Sequence, residues 1–285
     1  MLDIGRHYHP PETIKRILDV MATLKMNRFH WHLTEDQGWR VEIKKYPKLT
    51  EIGSKRKDTK IGGHLSKKFR GIPHEGFYTQ AQVNEIVQYA EERFIEVIPE
   101  IDIPGHSLAA LAAYPNLSCT NGHFEVAISP GIFPDIYCAG KEETFEFLQN
   151  VFDEIIEMFP SPIIHIGGDE APKKRWKACE LCQKRMVEQG IKDEHELQVY
   201  FTNRIAAYLK QKGRRVMGWN EILGESLDPS AIAQWWVRNK QGVLSHLRNG
   251  REFVMSKVGF VYFDYNYILT PLKKCYHYEP IPKEL

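Results

Sequence analysis

Apolar residues recur at Ile14, Ile17, Leu18, Met21 and Leu24, the spacing of one helical face, behind a Pro10-Pro11-Glu12 opening suited to a helix start. The pattern predicts a helix to about residue 26. Segments of this kind alternate with short β-branched or aromatic runs, which predict strands over 2–8, 28–33, 95–101, 163–168, 215–219, 231–236 and 252–257. Further helices are expected over 79–94, 106–114, 142–159, 172–189, 194–212 and 240–248. Thr79 is a suitable N-cap with Gln82 three residues on, and Gly250 closes the last helix. Residues 34–77 read as a long polar loop and 115–140 as irregular. The tail 265–285, rich in Pro, Lys and Tyr, shows no further strand.

Strand, helix, strand at this regularity implies a parallel sheet with right-handed crossovers. Six or more such units favour an α/β fold of the TIM-type (β/α)8 barrel class over an open doubly wound sheet, with about seven strands in this chain. No Gly-x-Gly-x-x-Gly turn follows the first strand, which counts against dinucleotide binding. Residues 1–285 are therefore expected to form a single barrel domain.

Composition changes this picture little. Hydrophobic residues make up 42% of the 285, a globular value, and 38 Lys plus Arg against 37 acids give no electrostatic case for nucleic acid. No run of about 18 apolar residues predicts a membrane span. The start, Met1-Leu2-Asp3-Ile4-Gly5-Arg6, has no apolar core of a signal peptide, so the chain is expected to be cytosolic or a piece of a longer secreted protein. Cys119 and Cys138 flank one long loop region and could bridge it. Cys179 and Cys182 are spaced like half a zinc site, but no second half of matching spacing follows and they fall in a helical stretch, so no metal is expected.

In a barrel of this class the chemistry lies at the C-terminal ends of the strands. Capable side chains concentrate there: Arg6 and His7; His30, His32, Glu35 and Asp36; Glu100, Asp102 and His106; His165, Asp169 and Glu170; Trp219 to Glu221; Trp235 and Trp236; Tyr262 and Asp264. A lone strand-end His or Trp is usually structural, but the recurrence at one rim is hard to explain by packing, because buried charge is costly unless paired or used. Acids with aromatics suit glycoside hydrolysis, which needs a protonated carboxyl at the leaving oxygen and stabilisation of positive charge at the anomeric carbon. A metal-dependent hydrolase built on His30 and His32 is the rival, disfavoured because both precede the end of their strand.

Seven motifs carry a resemblance: Leu2-Asp3-Ile4-Gly5-Arg6-His7, His30-Trp31-His32-Leu33-Thr34-Glu35-Asp36-Gln37-Gly38-Trp39-Arg40, Pro99-Glu100-Ile101-Asp102-Ile103-Pro104-Gly105-His106, His165-Ile166-Gly167-Gly168-Asp169-Glu170, Gly218-Trp219-Asn220-Glu221, Gln234-Trp235-Trp236 and Tyr262-Phe263-Asp264. In these the chain resembles family 20 glycoside hydrolases, the β-N-acetylhexosaminidases, in the family's order over nearly its whole length. The resemblance implies exo-acting removal of terminal β-linked N-acetylglucosamine or N-acetylgalactosamine from glycans or chito-oligosaccharides, without a cofactor. The substrate's acetamido oxygen would act as nucleophile. It implies Glu170 as acid and then base, Asp169 orienting the acetamido N–H, and His106 with Asp36 (or Glu35) as a relay to Glu170. Tyr262 would donate to the acetamido carbonyl, Trp219 and Trp236 would wall its pocket, and Arg6 and Asp264 would hold outer hydroxyls. Asp169 and Glu170 can serve different atoms only if the chain turns at Gly167-Gly168. Release of a disaccharide such as lacto-N-biose, or a non-catalytic sugar-binding barrel, are the alternatives. The family's eighth-strand Trp-x-Glu element has no match after Asp264, and no accessory domain precedes Met1. The chain is therefore expected to be a trimmed piece of a longer, exported protein (periplasmic, cell-surface or extracellular), unstable or inactive alone.

Overall fold

A computed structural model describes residues 1–62 and 66–284. Its main sheet holds seven parallel strands in chain order: β1 (Leu2–Asp3), β2 (Arg28–His32), β3 (Glu96–Glu100), β4 (Ile163–His165), β5 (Arg215–Trp219), β6 (Ile232–Trp235) and β7 (Phe253–Met255). This is the (β/α)8-barrel architecture, with seven strands among the described residues. The crossovers carry α1 (Pro11–Thr23), α2 (Gln80–Glu91), α3 (Glu142–Met158), α4 (Glu194–Gln211) and α5 (Lys240–Arg248).

Local chemistry explains the helix boundaries. Pro11 needs no amide partner at the first position of α1, and Ile14 and Leu18 bury one face. The Thr79 hydroxyl accepts from the Gln82 amide while the Gln82 side chain accepts from the Thr79 amide, the expected capping box of α2. Asp193 accepts two amides at the start of α4. Phe145, Leu148, Phe152 and Ile155 of α3 pack into the principal core together with Phe29 and Trp31 of β2.

Three expectations need correction. The first strand ends at Asp3; the chain then runs irregularly to Tyr8 because Asp3 accepts from the Arg6 amide and guanidinium and turns the backbone out of the sheet. The segment 34–77 is no plain loop. It contains two-residue antiparallel ladders pairing Thr34–Glu35 with Gly38–Trp39, Lys55–Arg56 with His74–Glu75, and Lys60–Ile61 with Lys68–Phe69, and a turn of helix at Lys48–Glu51. Its residues 63–65, like residue 285 of the tail, lie outside the described residues. The helix expected over 172–189 is two helices, Lys174–Ala178 and Glu180–Gln189, broken where Cys179 turns extended.

Register decides what faces the barrel's interior. His32, Glu100, His165 and Met217 lie side by side across β2 to β5. His30, two residues below His32, shares its face. The interior at this level is therefore polar, and all three histidines and Glu100 are buried.

Candidate active site

Glu100 organises the floor beneath the rim. It takes hydrogen bonds from His30 and, at 3.0 Å, from the indole N–H of Trp219, and His165 Nδ1 lies 3.1 Å away. Burial alone would raise its carboxyl, but His165, His32 and His30 outweigh that and hold it well below the usual range. Burial lowers His30 to about 4, so this ring is neutral. The His30 and His32 side chains are thus absorbed in carboxylate–imidazole contacts rather than in a rim site.

Above this floor the hairpin after β2 delivers Glu35 and Asp36, and the loop after β3 delivers His106. Asp36 Oδ2 lies 3.0 Å from His106 Nδ1, and its Oδ1 accepts the Leu108 amide at 3.0 Å. Glu35 Oε1 reaches the same Nδ1 at 3.2 Å and also pairs with Arg6. Both candidate partners of His106 therefore engage it, Asp36 more closely. Burial pushes Glu35 up, but Arg6 and then His106 bring it down to about 2. Burial likewise disfavours charge on His106, yet Glu35 and Asp169 outweigh it, leaving the imidazole protonated well above its usual range. Its Nε2 faces Glu170 Oε2 at 3.5 Å and Asp169 Oδ2 at 3.6 Å.

The turn after β4 behaves as anticipated. Gly167 and Gly168 adopt φ of 65° and 98°, and a Cβ on Gly167 would overlap the Asp102 carboxylate, whose Oδ1 accepts the Gly168 amide. Beyond this reversal both carboxylates reach one atom, His106 Nε2, and they differ in exposure. Glu170 itself has φ 45° and His106 φ 46°, left-handed conformations that cost a non-glycine residue of order 1–3 kcal/mol and concentrate at functional sites. Asp169 is the more enclosed carboxylate of the pair, its side chain 14% exposed against 31% for Glu170. Burial raises its pKa against the pull of His106. Its Oδ1 is buried without a hydrogen-bond partner, as are Asp102 Oδ2 and His106 Nε2. Ligand atoms of these three residues lie within 4.8 Å of one another.

The other wall is aromatic. Trp219 and Trp236 meet at 6.0 Å between ring centroids and 62°, and Tyr262 stacks on Trp236 at 6.4 Å and 22°. The Trp236 indole donates to Glu221, and Asn220 Oδ1 accepts the Trp236 amide. Burial, then Asp169, raises the Tyr262 hydroxyl, which therefore remains a donor. Asp264 is exposed and close enough to act on Tyr262 electrostatically. Arg6 departs from expectation in one respect. Its guanidinium is already paired with Asp3 and Glu35, with its side chain 43% exposed, so it can offer only its remaining donors to a ligand.

Sequence reasoning passed over several residues that build this site. Arg40, fully buried, donates to the carbonyls of Ile4, Gly5, Gln37, Ser54 and Gly76, tying the end of β1 to the hairpin that carries Glu35 and Asp36. Glu100 and Asp102 were legible as capable strand-end residues, but not the part each plays in the floor and the glycine turn. The cysteines also differ from expectation. All five are free, and Cys119 approaches Cys182 rather than bridging to Cys138. No helix among the described residues is long and apolar enough to cross a membrane.

The model of the glycosyl hydrolase family 20 catalytic domain matches residues 1–283. A β-hexosaminidase of Porphyromonas gingivalis is 48% identical over 299 residues, covering 100% of this chain and 37% of its own length. A solved β-N-acetylhexosaminidase from Bacteroides fragilis superposes with a TM-score of 0.81 at 42% identity, over 93% of this chain and 51% of that one. A family 20 exo-β-N-acetylglucosaminidase from Vibrio harveyi, solved with N-acetylglucosamine, gives 0.84 at 32% identity, over 100% and 47%. The chain spans 37%, 48% and 58% of three curated β-hexosaminidases that it matches. With a family match along almost its entire length, and with the barrel and rim described above, the chain belongs to glycosyl hydrolase family 20.

Proposed function

We propose that this chain carries the catalytic machinery of an exo-acting, retaining glycoside hydrolase that releases terminal β-linked N-acetylglucosamine or N-acetylgalactosamine through the substrate's own acetamido group. The observation that carries this reading is that Asp169 Oδ1, just beyond the Gly167-Gly168 turn and close enough to Tyr262 to act on its hydroxyl, is buried and unpartnered, while the neighbouring Glu170 is the more exposed carboxylate. An acetamido N–H supplies the donor that this oxygen lacks.

In this mechanism Trp219 and Trp236 enclose the acetamido methyl. Asp169 accepts its N–H and Tyr262 donates to its carbonyl oxygen, turning that oxygen toward the anomeric carbon. Glu170 passes its proton to the leaving oxygen as the carbonyl oxygen attacks, giving an oxazolinium ion whose positive charge Asp169 offsets. Glu170 then takes a proton from water attacking the same face, and two inversions give net retention. His106, charged and held by Asp36 and Glu35, fixes the positions of both carboxylates. Arg6 and Asp264 bind outer hydroxyls.

Glu170→Gln tests the acid–base assignment. It is expected to lower kcat on natural oligosaccharides by about 10²–10⁴-fold, and by less on nitrophenyl glycosides, whose leaving group needs little protonation. Equal losses on both substrates would contradict the assignment.

A further inference from the structure

Four cysteines remote in sequence meet behind the active-site rim. Cys119 and Cys138 lie at the two ends of the long loop after β3, where Ser118 and Tyr137 form a β-bridge. Cys179 and Cys182 sit at the start of the helix Glu180–Gln189, nine residues beyond Glu170. Sulfur separations are 3.8 Å for Cys119 to Cys182, 3.8 Å for Cys138 to Cys179 and 3.6 Å for Cys138 to Cys182, and all four sulfurs lie within 4.8 Å of one another. Cys138 and Cys182 are fully buried and Cys179 nearly so.

We propose that these four thiolates form a structural zinc site, Cys119-Cys138-Cys179-Cys182. A zinc ion about 2.3 Å from each of four sulfurs sets tetrahedral edges of about 3.8 Å; three of the six separations match this, and all six are within 4.8 Å. A disulfide framework would draw the sulfurs together in pairs, whereas Cys138 approaches both Cys179 and Cys182. The surroundings suit an anionic centre. The Gly140 amide donates to the Cys138 sulfur, and Arg175 lies close enough to Cys119 to feel its charge. A Cβ on Gly140 would overlap the backbone of Leu181 and Cys182, so the loop lies directly against the helix start that carries the other two sulfurs. Binding displaces the thiol protons, four sulfurs and one Zn²⁺ leaving a complex of net charge −2. With every position taken by protein the ion is structural. It pins the loop 115–140, whose Tyr137 amide donates to the Pro104 carbonyl just before His106, to the segment that follows Glu170. The half-site in the sequence did have a second half; it precedes Cys179, split across the loop, so no spacing rule finds it.

The test is metal analysis of the 285-residue chain purified without chelating resins or added metal. About one zinc per chain is expected. Cobalt substitution should give the visible and near-ultraviolet absorption of a tetrahedral thiolate site. Cys138→Ser with Cys182→Ser should lower zinc content at least tenfold, and chelation of the wild type should lower its thermal midpoint, with recovery on adding zinc. Wild type without metal, whether its four thiols are free or its mass is four hydrogens light through two disulfides, overturns the proposal. Stoichiometric iron overturns the zinc assignment.

Discussion

The side of the site built on β2 to β4 and the side built on β5 to β7 are held in different ways. On the first, Glu35 and Asp36 are 1% exposed and His106 5%, each tied to partners, and the Glu100 network lies below them. On the second, exposure increases along the chain. Trp219 is buried against Glu100, Trp236 and Tyr262 are half-buried, and Asp264 is exposed beside Phe263 at 89%. The principal core likewise takes its members from residues up to and including Val216, while β6 and β7 rest on a smaller cluster around Val243 and Trp235. Proton transfer needs protonation states fixed by burial and neighbours, and the first side supplies them. Recognition of an acetamido group needs apolar faces open to an entering ligand, and the second side supplies those at the cost of packing.

The largest effect should come from loosening the first side. Arg40→Met leaves five carbonyls, four of them in buried bonds, without their common donor, and a destabilisation of about 3–5 kcal/mol is expected by chemical denaturation. A loss under about 1 kcal/mol would mean that Arg40 does not hold this half together. Burial and then Arg56 already lower its pKa to about 9, a sign of how much solvation it has given up.

On the second side an intermediate effect should be functional rather than structural. Tyr262→Phe removes the donor proposed for the developing oxazolinium and should cost roughly 10–100-fold in kcat, with an unchanged thermal midpoint because the hydroxyl sits on the thinly packed edge. A marked fall in midpoint with kcat preserved would reverse the comparison.

The smallest effect sharpens the boundary between the two sides. Burial, and then the charge of Asp169, raise Glu221 to about 7. A carboxyl raised on folding binds a proton that the unfolded chain has lost. Wild-type stability should therefore fall as pH rises from about 4.5 to about 7, then level off. Glu221→Gln keeps an acceptor for the Trp236 indole and removes that slope, so its thermal midpoint should exceed the wild type's at pH 8 and match it near pH 4. The gain is on the order of 1 kcal/mol, discounted for partial exposure. A pH-independent difference would show that Glu221 is not held protonated.

Much of this was legible beforehand because it is local. The α1 and α2 starts, the seven strands and the glycine turn before Asp169 follow from spacing, capping and backbone freedom within a few residues. What escaped depends on residues distant in sequence. Arg40 serves main-chain carbonyls, which leave no side-chain signature. Arg6 is claimed by Glu35 across two strands. The paired ladders within 34–77 are two residues long, too short for an alternating pattern to register. The cysteine cluster is assembled by a loop whose course no periodicity announces.

The central claim is that Asp169 orients a substrate amide that then acts as nucleophile. A thiazoline mimic of the oxazolinium, measured as a competitive inhibitor of wild type and of Asp169→Asn on N-acetyl-β-glucosaminides, tests it most directly. The account predicts tight inhibition of the wild type and, in the variant, inhibition weakened along with kcat by about 10²-fold. Absent inhibition, or inhibition untouched by the substitution while turnover falls, would contradict it.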